Sequence, residues 1–429
     1  MLRYIIYKFV VYLPLIIFSA SAWSFTMETV ADENVNIDDY SYVIPYLYYT
    51  ESTEAVVGGI FFSEGLFQPQ LNISATAYTS ANDSNGVWLE VNDLKLANRV
   101  GLNLQAYSQR WTKLKIYSDS PQLSSSVTGN RDSSAEQFLL SHGRESVIDI
   151  STFFVLPVGN AKQQAIHEYI LDSGGILDDS TASGGKIWDP RYSGRSIITS
   201  GLISNTLAFD DDAQQGTYQR SLAAYLGLEY DNTDYFRNPT YGSRQSFLVK
   251  HDWGGEHSDV PWTTLELDLA KYINLGKTSW SRQQLIALNA WIKNTPSWDK
   301  KQGDLYQRPP IYQRAGLGGL DRMRAYTTQR FNDKSALYYS AEYRITPQNN
   351  IFSDLGFLDS LVKVRWVQLV VFAEVGQVND SFNFTDLHRD MKWDTGFGIR
   401  GLVNGIIVRM DAAYSDEGGA LSVFFGHTF

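Results

Sequence analysis

The stretch "ALYYSAEYRI", residues 336–345, alternates without a break. Leu337, Tyr339, Ala341, Tyr343 and Ile345 fall on one side, and Tyr338, Ser340, Glu342 and Arg344 on the other. Successive side chains of a strand point to opposite faces, so a period of two reads as a strand with one apolar and one polar face. The pattern recurs. "TLELDLAKY" (264–272) sets Leu265, Leu267 and Leu269 against Glu266 and Asp268, and "IIVRMDAAY" (406–414) sets Ile406, Val408, Met410, Ala412 and Tyr414 against Arg409 and Asp411. In "LSVFFGHTF" (421–429), Leu421, Val423, Phe425 and Phe429 share a side, and His427 departs from it.

Candidate strands begin near residues 41, 54, 69, 87, 100, 147, 164, 221, 243, 262, 282, 336, 366, 394, 405 and 421, sixteen in all, with residues 195–206 as a further candidate. Many run about 9–11 residues and are flanked by Tyr, Trp or Phe, as in tilted strands that span an outer membrane. Connections near 111–146, 174–220, 293–335 and 377–392 are long and polar, whereas "TEST" after Tyr49 is short. Long loops outside and short turns in the periplasm fit such a barrel. Lipid offers no partner to a free strand edge, so the sheet must close. The apolar face then meets lipid, and Glu266, Asp268, Glu342, Arg344, Arg409 and Asp411 line the interior. The fold predicted is all-β, a transmembrane antiparallel barrel of 16 strands. A large soluble sandwich or propeller would alternate in the same way, with its charges facing bulk water.

The N-terminus supports the membrane reading. "MLRYIIYKFVVYLPLIIFSASAWS" has Arg3 and Lys8, an apolar core from Phe9 to Phe18, and Ala22-Trp23-Ser24 as a small-x-small site. This is the pattern of a secretory signal, and its core is about half the roughly 20 residues of a spanning helix. The predicted organisation is a signal peptide over 1–24, a short acidic periplasmic lead-in over 25–40, and one barrel over 41–429. The formal net charge is −11; removing residues 1–24 takes two basic residues and no acid, leaving −13. That balance excludes nucleic acid as a partner, because phosphates require Lys and Arg. The chain has no cysteine, which excludes disulfides and thiolate metal sites.

Catalytic signatures are missing too. His167-Glu168 lacks the second histidine of a zinc helix, and there is no Gly-x-Ser-x-Gly elbow, Walker loop or dinucleotide fingerprint. His251, Asp252, Glu256, His257 and Asp259 could gather round a divalent cation, but acids at a strand end ordinarily face water. No catalytic, metal or cofactor residue is assigned, and the chain reads as a non-enzyme.

Four separated stretches resemble the barrel domains of BamA/TamA-like proteins, the bacterial surface antigen family. "LGLEYDNTDYFRNPTYGS" (226–243) is similar to a family strand–turn–strand through Asp231, Asp234, Pro239 and Gly242. "GLGGLDRMRAYTTQRF" (316–331) resembles its sixth extracellular loop, with Gly318-Gly319 followed by Met323-Arg324-Ala325-Tyr326. Ala325 stands where the family has Gly, so this tip must avoid conformations only Gly reaches. "SAEYRI" (340–345) resembles the next strand. "VFAEVG" (371–376) resembles a Phe-x-Asp-x-Gly strand, here Phe372, Glu374 and Gly376. The terminal Phe429 resembles the C-terminal signal of outer-membrane proteins. The resemblance covers most of 41–429, without room before it for the family's periplasmic polypeptide-transport-associated repeats.

The resemblance implies a bacterial outer-membrane location and a loop folded into the barrel, with Arg324 meeting wall acids. Parity independently turns Glu342 inward and puts Phe372 and Glu374 on one face. Arginine's planar fork suits carboxylates, and in a wet lumen such a pair is worth roughly 1–3 kcal/mol. The implied work is insertion or translocation of polypeptides through a weak seam between first and last strands. The implied partners are outer-membrane lipids and client polypeptides. The alternative is a transport or structural surface-antigen barrel without assembly activity.

Overall fold

Alternation becomes a wall of sixteen antiparallel strands in a computed structural model, which describes residues 9–10, 27–32, 40–50, 53–118, 129–185, 187–209, 218–349, 364–403 and 405–429. The first eight are β1 (Tyr40–Thr50), β2 (Glu54–Glu64), β3 (Asn72–Ser80), β4 (Asn85–Ala97), β5 (Val100–Ile116), β6 (Leu139–Val155), β7 (Arg195–Phe209) and β8 (Tyr218–Asp231). The second eight are β9 (Gly242–Asp252), β10 (Trp262–Gly276), β11 (Ser281–Asn294), β12 (Ser335–Pro347), β13 (Val364–Asn379), β14 (Lys392–Val403), β15 (Ile406–Ser415) and β16 (Gly418–Phe425). Each pairs antiparallel with the next, through fifteen ladders. The predicted signal peptide lies outside the described residues except for 9–10, as do residues 25, 26 and 33–39 of the lead-in.

Burial decides between barrel and soluble sheet. On β8, Leu226 and Leu228 are 52% and 51% exposed, whereas on β12 Glu342 and Arg344 are 1% and 0% exposed. Val371, Phe397 and Met410 are exposed, and Glu374, Arg400, Arg409 and Asp411 are buried. A soluble sheet would reverse this assignment; a barrel in lipid requires it. No helix among the described residues is long and apolar enough to cross a membrane.

The sheet curls until its ends approach. Arg237, in the connection after β8, pairs with Glu64 at the end of β2 and donates to the Gly405 carbonyl between β14 and β15. One guanidinium therefore holds both flanks of the seam. Among the described residues no ladder joins β1 to β16. Phe9–Val10 instead run parallel to Gly419 and Ala420 on the free edge of β16.

Three expectations are corrected. The candidate near residue 164 is no wall strand. It is the five-residue strand His167–Leu171, paired parallel with Glu28–Asp32 outside the wall. The wall strand is β7, whose Ser, Thr and Gly blur the alternation. Gly201 is needed there, since a Cβ would lie 2.4 Å from the Tyr225 ring on β8. Second, the longest connection described at the end where β1 begins and β16 stops is 156–194, while several turns at the other end are short, such as 416–417. Third, Phe429 is not on the outward face of the last strand. β16 stops at Phe425, Gly426 takes φ +81°, and the tail turns inward.

Candidate functional site

A hairpin descends into the lumen from the connection between β11 and β12. Its stem pairs Ala315 with Asp333 and Leu317 with Phe331. Gly318 (φ +105°) and Gly319 (φ +120°) then reverse the chain, and a Cβ at Gly318 would sit 2.2 Å from the Thr327 carbonyl oxygen. Their amides donate to the carbonyls of Arg322 and Tyr326, at 3.0 Å each. The left-handed residue of the tip is Met323 (φ +58°), so Ala325 escapes the strain that replacing Gly could bring.

Apolar packing holds the hairpin to the wall. Leu317, Met323, Ala325, Tyr326 and Phe331 bury against residues of β11, β12, β13 and β15, among them Trp291, Tyr338 and Phe372. Gly376 makes room, since a Cβ there would approach Leu317 Cδ1 to 2.8 Å. The Tyr326 hydroxyl lies 2.7 Å from Asp416 Oδ1 and 3.1 Å from the Trp393 carbonyl.

At the tip, Arg324 is wholly buried and meets three carboxylates. Its Nη2 lies 2.9 Å from Glu342, its Nε 3.1 Å from Glu374, and its Nη1 3.0 Å from Asp411. The Arg324 amide donates to the second Glu374 oxygen at 2.8 Å, and the Ala325 amide to Asp394 at 3.0 Å. The guanidinium carbon stands 3.4 Å from the centre of the Phe372 ring. Glu342 is the hub, because Arg344 Nε (2.7 Å), Arg400 Nη2 (2.8 Å) and Thr428 Oγ1 (3.1 Å) also reach it. Opposite charges this close attract strongly once water is gone; both oxygens of Glu342 and of Glu374 are paired, while Asp411 engages through Oδ2 alone.

The structure thus gathers Arg324, Glu342, Glu374, Phe372, Gly318, Gly319, Tyr326 and Gly376 at one place. It adds Asp411, Arg400, Arg344, Asp394 and the C-terminal tail, which sequence reasoning left unassigned as partners. Parity on β15 already placed Arg409 and Asp411 inward; which strand would face the hairpin was the missing fact. Phe429 packs in the lumen with Ala270, Leu285 and Ala287, stacked on Tyr272 with ring centres 6.3 Å apart. Arg344 lies beside both rings, 5.3 Å from the centre of Phe429 and 5.7 Å from that of Tyr272.

The acidic turn is placed elsewhere, at the end where β1 begins and β16 stops. Asp234 is buried and accepts from the Thr240 amide and hydroxyl, while Gly242 (φ +104°) passes where a Cβ would strike the Asn232 carbonyl. Pro239 lies within the loop that this carboxylate closes. Asp231 Oδ1 accepts from the Thr233 amide.

Asp252 and Asp259 are spent on loop structure, and His251 Nδ1 lies 2.8 Å from the Thr263 hydroxyl. Asp252 accepts from Ser221 and Ser258, Asp259 pairs with Arg220, and no group of three potential ligands stands close enough to hold a metal among the described residues.

The same end is covered by 156–194 and the lead-in. Ile176 packs on Trp366, Leu402 and Ile407 of the far wall, and Trp366 Nε1 donates to the Gly175 carbonyl at 3.1 Å. Glu28 lies 3.4 Å from Arg195 and accepts from the Tyr169 hydroxyl at 3.0 Å. Burial raises its carboxyl to about 8, against the partial opposition of Arg195. Burial likewise lowers His167 to about 4, and its Nε2 sits 2.8 Å from the Thr181 carbonyl.

Comparison with known proteins fits this geometry. The sequence matches the Omp85 superfamily domain over residues 39–429. Among solved structures, CdiB from Escherichia coli is similar, with TM-score 0.54 and 11% identity, over 90% of this chain and 62% of that one. BamA from Haemophilus ducreyi lacking POTRA domains 1–3 gives TM-score 0.48 and 12% identity, over 90% of this chain and 71% of that one. CdiB from Acinetobacter baumannii gives TM-score 0.49 and 9% identity, over 90% and 59%. No curated protein matches. With almost the whole wall inside the family match, the chain belongs to the Omp85 superfamily and is an outer-membrane β-barrel.

Proposed function

We propose that this barrel inserts or translocates polypeptides at the outer membrane, without enzymatic chemistry or a cofactor. The observation that carries the reading is the seam. Fifteen interfaces are ladders, and β1 and β16 share none among the described residues. β16 is cut short by Gly426, whose amide donates to the Ile407 carbonyl as the tail leaves the wall. Free backbone edges accept added strands, so two such edges near each other can template a client strand entering the membrane. The hairpin and its Arg324 latch would fix β12, β13 and β15, beside the seam, while the seam itself flexes. The signal peptide over 1–24 and the lead-in over 25–40 belong to this reading, and the end where β1 begins and β16 stops faces the periplasm. Cysteines scanned along Val43–Leu47 and Leu421–Val423 test it directly. Crosslinks that block assembly of other outer-membrane proteins are expected; an unchanged outer-membrane protein profile on depletion would defeat the reading.

A second reading, a transport or structural barrel, is favoured by the covered periplasmic mouth. Ile176 and Gly175 reach the wall opposite the strands they hang from. A client passing through the lumen would have to displace this segment. Planar-bilayer recording separates the two, since steady conductance that rises when 172–178 is shortened belongs to a pore.

A further inference from the structure

The outward face of the wall holds a feature that neither seam nor hairpin uses. Ser243, Lys271, Leu288, Ala341 and Ala373 are successive cross-strand partners from β9 to β13. With Ala290 in the adjoining row, the alanines floor a groove of about 730 Å³, bounded by Leu269, Leu288, Tyr339 and Val375. That volume falls within the range of about 300–1,000 Å³ that takes one small molecule. The row climbs. Ser243 is the second residue of β9, at the periplasmic rim, while Ala373 lies midway along β13.

Lys271 is out of place on this face. It is exposed, and its outward neighbours along β10, Leu269 and Ile273, are exposed apolar residues at 39% and 40%. Lysine on a lipid-facing wall destabilises a barrel more the nearer it lies to the midplane. Its flexible stem lets the ammonium reach toward the rim. Among the described residues, no acid pairs with it.

The rim is furnished for the boundary between water and lipid. From the 156–194 connection, Trp188 folds over the outside of the wall. Its Nε1 donates to Gln245 Oε1 at 3.1 Å, and its ring meets Tyr230 edge-on at 5.8 Å. Ile187, Trp188 and Tyr192 are all exposed there. Aromatic side chains of this kind settle at the headgroup level. From rim to midplane the order is interfacial aromatic, unmatched cation, apolar slot.

We propose that this groove binds one anionic glycerophospholipid of the periplasmic leaflet. The phosphate sits on Lys271 beside Trp188, and an acyl chain lies over Ala290, Ala341 and Ala373. Charge complementarity selects the headgroup, and the climb of the row selects the leaflet.

The test uses the full-length protein released from phosphatidylcholine nanodiscs doped with phosphatidylglycerol, read by native mass spectrometry. The wild type is expected to retain one phosphatidylglycerol. Lys271→Gln should lower that retention about fivefold, the worth of one basic residue at an anionic membrane surface. Ala341→Phe, which fills the floor and spares the charge, should abolish it, and millimolar inorganic phosphate should not compete. Gel mobility before and after heating checks that each variant is folded, and Ala290→Leu serves if Ala341→Phe is not. Undiminished retention in either kind of variant, displacement by phosphate, or a protein dimer in place of the lipid adduct would each overturn the proposal.

Discussion

At the hairpin tip, Arg324 has three carboxylates within 3.1 Å. At the periplasmic mouth, Glu28 has one arginine, at 3.4 Å, and its neighbourhood closes through apolar clusters around Met27, Tyr169 and Trp366. The first region is a knot of buried charge, the second a cover of greasy contacts with one titratable pair beneath it. A knot of this kind fails as a whole when one member is removed, because the rest are left charged and dry. Apolar contacts fail in proportion to the surface lost. The knot should therefore hold the hairpin in one position, and the cover should loosen piecemeal.

The largest effect is expected from Arg324→Ala, which leaves Glu342, Glu374 and Asp411 facing one another. Complete burial raises the expectation above that for a wet lumen, to about 3–5 kcal/mol. Denaturant unfolding in detergent should show it, and Arg324→Glu should open 316–331 to protease added outside cells. Protection equal to wild type would mean that apolar packing alone seats the hairpin.

The next effect tests the cover by pH. Glu28 has an ordinary value of 4.5 and is raised to about 8 by burial. Its folded form holds the proton more tightly, so the stability of the docked lead-in is lost as pH rises from 4.5 through 8. At 1.36 kcal/mol per pKa unit, that limb amounts to about 5 kcal/mol before the opposing change at His167 is set against it. His167, ordinarily 6.5 and lowered to about 4, acts in the other direction, and its contribution is lost as pH falls from 6.5 through 4. Proteolysis near residues 27–32 should be slowest between the two limits, and Glu28→Gln should shrink the alkaline limb, the remainder belonging to Asp93, which accepts from the Glu28 amide at 3.2 Å. A flat profile in the wild type would show that the lead-in stays docked whatever Glu28 carries.

How legible each region was in the sequence follows from the same contrast. Glu342 and Glu374 could be turned inward by parity alone, and the Gly318-Gly319 and Arg324 spacing marked the hairpin. Arg400 and Thr428 escaped because their meeting at Glu342 depends on which elements lie beside β12 in the lumen, and no period encodes that; Arg344 was placed on the face of Glu342 by parity but not paired with it. The cover had no periodic signature at all. His167–Leu171 is five residues long and finds its partner in the lead-in, far away in the chain. β7 was demoted because small and hydroxyl side chains weaken alternation where Gly201 must admit Tyr225. The fate of Phe429 turned on one residue, Gly426, which could as well have continued the strand.

A smaller loss separates the cover's contacts from its charges. Ile176→Ala removes a half-buried side chain from Trp366, Leu402 and Ile407. Partial burial places the cost near 1–2 kcal/mol, below the value for a full core site. It should speed cleavage within 172–178 without moving the unfolding transition of the barrel. A transition that moves with it would make the cover part of the wall's own cooperative unit.

The smallest expected effect lies at the rim of the knot. Tyr326→Phe deletes a hydroxyl shared between Asp416 and the Trp393 carbonyl, but keeps the ring against Phe331, 5.2 Å between centres. One hydrogen bond is worth about 1 kcal/mol net, and here the acceptors lie near the loop end, where water can replace the donor. The hairpin should stay protected from external protease, with a small fall in unfolding midpoint. If Tyr326→Phe instead exposes 316–331 as fully as Arg324→Glu does, the hydroxyl rather than the guanidinium sets the loop's position, and the contrast between a charged knot and a greasy cover no longer explains which region is rigid.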